Sequence, residues 1–339
     1  MRLRILYHDN CFDGLASAAV FARYYAEAVS PEAEIEFVGV THKPRIGVDP
    51  AVILREPAGE NAIVDFKYSP EPEVTWWFDH HLSAFLTPED EAHFNSDTTG
   101  RKFYDPESKS CTLFIAKVLR ERFGFHSPEL DDLVEWANII DGALYADAKT
   151  AVELKSPALK LMQVVEMSRD PALIQQLIRD MQVMPLAGIV EQPYIANQLA
   201  PLVERHLRSI EVIRDHSEYS RNVLFFDVAG FDIEGYNKFI PYYLFPDCRY
   251  NVSVLVTPTR AKISVGFNPW SPLIREHNIA KICERHGGGG HPVVGAISLP
   301  PEELDEARRV ARSIASELRA PGPGATSMLA PPPGFNVPE

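Results

Sequence analysis

The chain has few cysteines, and their positions exclude two classes of protein. The four cysteines are scattered over 339 residues and form no CxxC pair; they are Cys11, Cys111, Cys248 and Cys283. Neither a structural zinc site nor a disulfide framework is therefore indicated. Reduced thiols, as in a cytoplasmic protein, are expected.

Signals for membranes and export are also lacking. No segment approaches the roughly 18 consecutive apolar residues that a membrane-spanning helix needs. The first residues run directly into the strand-like segment 3–7, without the apolar core or the cleavage site of a signal peptide. We therefore expect a soluble, cytoplasmic protein that does not bind membranes.

Positive charge is scarce as well. The chain has 33 Lys and Arg residues and 47 Asp and Glu residues, which gives a formal net charge of −14. This balance argues against a broad surface for long duplex nucleic acid. A small phosphorylated substrate stays open, because metal ions in a carboxylate-lined cleft supply positive charge locally.

Short apolar segments alternate with helical patterns over the first half of the chain. Residues 2–7, 34–40, 61–65 and 76–78 have the length and the composition of strands. Strands that alternate with helices predict a mainly parallel, doubly wound α/β sheet. We place this N-terminal domain at residues 1–195.

A second, smaller α/β pattern follows. Residues 250–267 form two alternating arms around a turn, which predicts a hairpin with one buried face. We place this C-terminal domain at residues 216–320, after a linker helix at 196–215, and expect the active site in a cleft between the two domains. The proline-rich tail, residues 321–339, is predicted to be disordered.

Carboxylates and imidazoles stand where three predicted strands end. His8 and Asp65 close the first and third strands, and Asp79, His80 and His81 follow the fourth. Parallel strands carry their ligand crevices at their carboxyl edge, and adjacent histidines on an extended backbone face opposite sides. Any one of these residues could be an ordinary turn residue, but together they indicate a site for Mn²⁺, Mg²⁺ or a similar ion.

Five sequence blocks resemble the signatures of a known superfamily. Four of them are residues 8–14, Asp65, the tripeptide 79–81 and Asp141, and the fifth is the GGGGH run at 287–291. In this order and spacing they resemble the DHH phosphoesterases, which are named for the tripeptide, and the C-terminal domain that accompanies one branch of that superfamily. The resemblance covers both predicted domains.

The resemblance implies a two-metal centre. Asp65 would bridge two ions, with Asp13, His80 and Asp141 completing one metal site and His8 belonging to the other. The expected ions are Mn²⁺, with Mg²⁺ or Co²⁺ as alternatives. A metal-activated water would then attack the phosphorus atom of the substrate.

The resemblance also implies a substrate site. Asp79 would orient the two histidines of the catalytic tripeptide from behind the ligands. The residues expected to contact the substrate phosphate are His81, Gly288, Gly289, Gly290 and His291. Arg45 and Asn268 are secondary candidates for substrate contact.

One position departs from the family pattern. The family usually has an aspartate where this chain has Cys11. Asp9 could substitute from a shifted position, the Cys11 thiolate could be a ligand, or the first metal site could be weak or empty. These alternatives stay open at this point.

The sequence therefore predicts a metal-dependent phosphoesterase that hydrolyses a small phosphodiester. Candidate substrates are short oligonucleotides, cyclic or linear dinucleotides and bisphosphorylated nucleosides. One alternative is hydrolysis of polyphosphate or another phosphoanhydride. A second is a non-catalytic, nucleotide-binding regulator in which Cys11 marks a lost metal site. A homodimer is one candidate oligomeric state.

Overall fold

The computed structural model describes residues 2–41, 46–55, 59–233 and 235–322. The chain divides into two compact units. The first contains residues 1–146 and 154–202, and the second contains residues 147–153 and the described residues from 203 onward. Within the described ranges, no helix combines the length and the apolar character needed to cross a membrane.

The helices are distributed over both units. In the described residues they are α1 (Phe12–Tyr24), α2 (Pro50–Ile53), α3 (Pro88–Ser96), α4 (Cys111–Phe123), α5 (Asp131–Asp141), α6 (Ala148–Val152), α7 (Pro157–Met167), α8 (Pro171–Met181), α9 (Leu186–Val190), α10 (Pro193–Asp215), α11 (Ile240–Leu244), α12 (Ile279–Glu284) and α13 (Leu304–Leu318). A short π-helical turn, Tyr25–Val29, extends α1.

The first unit contains a parallel sheet in the order β2-β1-β3-β4-β5. Its strands are β1 (Arg2–His8), β2 (Glu34–Val40), β3 (Glu60–Val64), β4 (Val74–Asp79) and β5 (Lys102–Tyr104). The predicted α/β class with a parallel sheet is confirmed. Strand β5 was not predicted from the sequence, because it is a three-residue edge strand whose side chains are all only half-buried.

Close packing of α1 brings this helix against the end of β1. Its alanines are buried, and Gly14 stands in its first turn. A Cβ atom on Gly14 would lie 2.1 Å from the carbonyl oxygen of His8, which is far inside van der Waals contact. Trp76 and Trp77 of β4 are fully buried core residues. The strand end that carries His8 is therefore held firmly by the helix that carries Asp13.

The second unit contains a mixed sheet in the order β10-β11-β9-β8-β7-β6. Its strands are β6 (Ser217–Ser220), β7 (Val223–Asp227), β8 (Tyr250–Thr257), β9 (Arg260–Phe267), β10 (Gly289–His291) and β11 (Val294–Leu299). The antiparallel β8–β9 pair confirms the predicted hairpin. The edge strands β6 and β10 were not predicted, because one is polar and the other consists mostly of glycine.

Two parts of the domain prediction are not decided by the fold. The predicted boundaries at 195, 216 and 320 stay predictions, as does a cleft between the domains. The tail beyond residue 322 and Arg45 lie outside the described residues.

Candidate metal centre

The carboxyl ends of three neighbouring strands bring the polar residues together. His8 is the last residue of β1, Asp65 directly follows β3, and Asp79 is the last residue of β4. In the sheet β3 lies between β1 and β4. Asp65 therefore stands in the middle of the group.

Asp65 is held in an uncommon backbone conformation. Its φ angle is +56°, in the left-handed region that Asp adopts more readily than most residues. The residue is 1% exposed, and neither carboxylate oxygen has a hydrogen-bond partner among the described residues. One oxygen lies 3.4 Å from His8 Nδ1 and the other lies 3.4 Å from His80 Nε2.

The ring of His80 is oriented from the opposite side. Its Nδ1 lies 3.0 Å from the carbonyl oxygen of Ser108, to which it donates. This bond leaves Nε2 as the nitrogen that faces the carboxylates. His80 Nε2 lies 3.5 Å from Asp141 Oδ2 and 3.8 Å from Asp13 Oδ2, and it has no hydrogen-bond partner in the described part of the chain.

Asp13 is fixed by the N-terminus of α4. Its carboxylate accepts hydrogen bonds from the backbone N–H groups of Cys111 at 2.6 Å and Thr112 at 3.1 Å. Ser110 caps the same helix by accepting from Leu113 N–H. A helix N-terminus stabilises negative charge, so this arrangement supports a buried carboxylate beside two others.

Asp141 is the last residue of α5. The glycine that follows does not form a left-handed cap. Gly142 has a φ of −71°, and Ala143 takes the left-handed conformation at +51°. Gly142 is needed for close approach instead, because a Cβ there would lie 2.9 Å from Asn138 O.

Burial and neighbouring charges shift the pKa values of the clustered carboxylates and of His80. Burial and the charge of Asp65 raise the pKa of both Asp13 and Asp141. Burial also opposes ionisation of Asp65, but the imidazoles of His8 and His80 outweigh it and lower its pKa to about 2. For His80, burial is outweighed by Asp65 and Asp13, which raise its pKa to about 10.

These residues form two overlapping sets of potential metal ligands. Asp13, Asp65 and His80 form one set, and His8, Asp65 and His81 form the other; within each set the ligand atoms lie within 4.8 Å of one another. Asp65 belongs to both. Buried carboxylate oxygens without hydrogen-bond partners, next to imidazole nitrogens, fit divalent cations that accept oxygen and nitrogen ligands.

Asp79 orients the histidine pair. It is fully buried, and its Oδ1 accepts from His80 N at 2.8 Å, His81 N at 3.3 Å and His81 Nδ1 at 2.7 Å. The backbone is fixed further by Tyr104 Oη, which donates to His81 O. With Nδ1 bound to Asp79, His81 presents Nε2 to a ligand.

Cys11 and Asp9 lie in different surroundings. Burial and the charges of Asp65, Asp13 and Asp141 raise the pKa of the Cys11 thiol. Cys11 immediately precedes α1, the helix that carries Asp13. Asp9 Oδ2 instead accepts from Thr41 Oγ1 at 2.8 Å. Among the described residues, Asp9 belongs to neither ligand set.

Lys67 is a charged residue of this region that the sequence analysis missed. It is 4% exposed, and its Nζ donates to the carbonyl oxygen of Ile46 at 3.0 Å. Burial lowers its pKa, and the charge of Asp79 opposes that effect. Its position two residues after Asp65 was the available signal, but a single lysine after a strand is ordinary.

In the second unit the glycines of the GGGGH run differ in the space that surrounds them. A Cβ on Gly288 would lie 2.3 Å from Ala296 O, and one on Gly290 would lie 2.3 Å from Val294 O. A Cβ on Gly289 would meet no neighbouring atom within 4 Å, and His291, two residues later, is exposed. Two of the glycines are therefore required by packing against β11, and Gly289 is open to a ligand.

Asn268, a secondary substrate candidate, is 1% exposed. Its side-chain amide donates to Pro246 O at 3.0 Å and Cys248 O at 2.9 Å, and its oxygen accepts from Trp270 N. The structure therefore places this side chain in contact with backbone groups of its own unit.

Comparisons with known proteins give a result at the level of structure alone. No family model and no curated protein matches the chain. The pGpG-specific phosphodiesterase PggH from Vibrio cholerae is similar over 95% of this chain and 99% of its own, with 18% identity and a TM-score of 0.66.

Two further solved structures are similar. The DHH domain of a member of a family of ribosomal proteins has 14% identity, coverages of 95% of this chain and 88% of its own, and a TM-score of 0.56. The exonuclease RecJ bound to manganese has 12% identity, coverages of 93% and 90%, and a TM-score of 0.50. This chain has the two-domain α/β fold of the DHH proteins, and the resemblance seen in its sequence is confirmed at the level of fold.

Proposed function

We propose that this chain, with its DHH fold, is a metal-dependent phosphoesterase that hydrolyses a short nucleotide phosphodiester. The observation that supports this most strongly is the pair of ligand sets that share Asp65. Its buried oxygens lie beside His8 and His80 without hydrogen-bond partners in the described structure. The fold that the chain shares with a phosphodiesterase and with an exonuclease agrees with this chemistry.

We propose two divalent ions, Mn²⁺ first. Asp13, Asp65, His80 and Asp141 would hold one, and Asp65 and His8 would hold the other. Such ions would neutralise the phosphate and lower the pKa of the attacking water. The RecJ structure bound to manganese supports the choice of metal.

The protein's own groups then position the phosphate. His81 also belongs to a ligand set, so its ring has two candidate partners, an ion and a phosphate oxygen. We propose the phosphate, because the bond from Nδ1 to Asp79 fixes His81 as a hydrogen-bond donor at Nε2 when the ring is protonated. Burial opposes that protonation, but Asp79 outweighs it and raises the pKa of His81.

Cys11 stands where the family usually has an aspartate, and we propose that it lies beside the metal centre. The carboxylates that raise its pKa support this assignment, whereas the bond from Thr41 engages Asp9 elsewhere. A cytoplasmic location and a homodimer stay predictions.

The substrate is tested by comparing four compounds in the presence of Mn²⁺: pGpG, short RNA, a 3′,5′-bisphosphorylated nucleoside and polyphosphate. We expect pGpG to be cleaved with a kcat/KM at least about tenfold above the others, a difference of about 1.4 kcal/mol in transition-state binding. Preferred cleavage of polyphosphate would favour the phosphoanhydride alternative. Manganese binding without any cleavage would favour a non-catalytic regulator.

We further propose that the substrate phosphate meets the backbone at Gly289 and the ring of His291. Gly289→Ala is expected to raise KM about tenfold with little change in kcat or melting temperature, because the added methyl group has space in the fold but would meet the phosphate. Gly288→Ala is the comparison: it would clash with Ala296 O and lower the melting temperature. An unchanged KM in Gly289→Ala would remove this contact from the proposal.

A further inference from the structure

An arginine-lined pocket lies in the second unit and shares no residue with the sites above. It has a volume of about 240 Å³. The charged side chains that line it are Arg221, Arg249, Arg319 and Glu276. Three guanidinium groups and one carboxylate give this small region a positive charge in a chain whose net charge is −14.

The single carboxylate balances only one of the arginines. Glu276 Oε1 lies 2.6 Å from Arg249 Nη1, and its other oxygen accepts from Gly322 N at 3.3 Å. No carboxylate pairs with Arg221 or Arg319 within the described ranges. Two positive charges of the pocket are therefore left for a ligand.

Two buried donors have no hydrogen-bond partner. The Nε atoms of Arg249 and Arg319 are buried, and neither donates to an atom of the described chain. A buried donor without an acceptor is costly and uncommon in folded proteins. Guanidinium groups bind phosphate oxygens through pairs of N–H groups, so a phosphate in this pocket would supply the missing acceptors.

The turn that carries Arg221 is also unusual. Arg221 and Asn222 join β6 to β7 as a two-residue hairpin turn, with φ angles of +48° and +61°. Such turns favour Asn-Gly, because both central residues take the left-handed conformation. An arginine at the first position strains the backbone, and strained residues concentrate at functional sites.

The pocket lies at the starting ends of β7 and β8 in the mixed sheet. Arg249 immediately precedes β8, whose first residue, Tyr250, pairs with Val223 at the start of β7. His291 lies at the same end of the strands as the pocket. It pairs with Val294 of β11, and the row of paired residues continues across β9 to the start of β8. Three strand spacings, about 14 Å in total, separate β10 from β8, so the pocket is distinct from the glycine run.

We propose that this pocket binds the phosphoryl or pyrophosphoryl group of a small soluble anion. Arg221 and Arg319 supply the unpaired charges, and Arg249 is held in place by Glu276. This inference does not depend on the proposed phosphoesterase activity, because the pocket contains none of the candidate metal ligands.

The test is calorimetric titration of the full chain with inorganic pyrophosphate in the presence of EDTA. Wild-type protein is expected to bind one pyrophosphate, and both Arg221→Asn and Arg319→Gln are expected to weaken binding at least about tenfold. Asn suits the left-handed turn position, so Arg221→Asn is also expected to melt at a temperature equal to or above that of the wild type. A gain of stability together with a loss of binding would identify Arg221 as a ligand-binding residue.

One variant serves as the control. Arg260→Gln removes an exposed arginine at the opposite end of β8 and β9, and it is expected to bind pyrophosphate as the wild type does. The proposal is overturned if the wild type shows no saturable binding, if Arg260→Gln weakens binding as much as Arg221→Asn, or if Arg221→Asn and Arg319→Gln bind normally. The assay requires neither metal nor turnover, so its outcome is separate from that of the activity assays.

Discussion

Asp65→Asn is expected to lower the kcat of manganese-dependent pGpG hydrolysis by roughly 10³-fold. Asp65 is the residue that both ligand sets share, so loss of its charge weakens both ions at once. Asparagine has nearly the same shape, and it tolerates the φ of +56° that Asp65 adopts. The backbone at the end of β3 is therefore expected to stay in place.

The measurement combines steady-state kinetics with calorimetric titration of Mn²⁺. We expect two ions per wild-type chain and neither with measurable affinity in Asp65→Asn, with a melting curve showing that the variant is folded. Asp9→Asn is the matched comparison at the same edge of the sheet, where Asp9 accepts from Thr41; it is expected to stay within a few-fold of wild type. Retained activity in Asp65→Asn would refute the ligand assignment, and an equal loss in Asp9→Asn would assign a ligand to Asp9.

Much of the fold could be predicted because its strands are short apolar segments separated by helical patterns. Parallel pairing places the carboxyl ends of such strands at one edge, and this rule anticipated that His8, Asp65 and Asp79 would converge. Recognition of strands as short apolar segments does not find β5, which has no fully buried side chain. Nor does it find β6, a polar edge strand whose residues are mostly exposed.

The contacts that orient the site could not be predicted. Asp13 is held by Cys111 and Thr112, which are 98 and 99 residues away in the chain. His80 is held by a backbone carbonyl, that of Ser108, which carries no side-chain signal. The contacts of Asp13 depend on how α4 packs against α1, and neither helix reveals that packing by itself.

The glycine run illustrates a second limit of sequence reasoning. All of its glycines look equivalent in the sequence, and the resemblance assigns Gly288, Gly289 and Gly290 to phosphate binding together. Their neighbours distinguish them, because Gly288 and Gly290 approach carbonyl oxygens of β11 and Gly289 does not. The reason for Gly288 and Gly290 therefore lies in a strand that follows them in the chain.

Asp79→Asn is expected to lower kcat by about 10²-fold, the upper range for residues that orient metal ligands from behind. Asp79 Oδ1 accepts three N–H groups from the two residues after it. An amide oxygen can accept these bonds, but it lacks the charge that strengthens the bond to His81 Nδ1. The imidazole is then held less firmly against the phosphate.

A split between kcat and KM separates positioning from a general loss of structure. We expect KM for pGpG and the affinity for Mn²⁺ to change by less than about tenfold in Asp79→Asn, because the ligand atoms of Asp65 and Asp13 are untouched. Asp132→Asn, an exposed acid on α5, controls for the loss of one negative charge. Loss of both manganese sites in Asp79→Asn would show that Asp79 is itself required for metal binding. An unchanged kcat would show that the orientation of His81 does not limit the reaction, and the role proposed for His81 at the phosphate would then have to be given up.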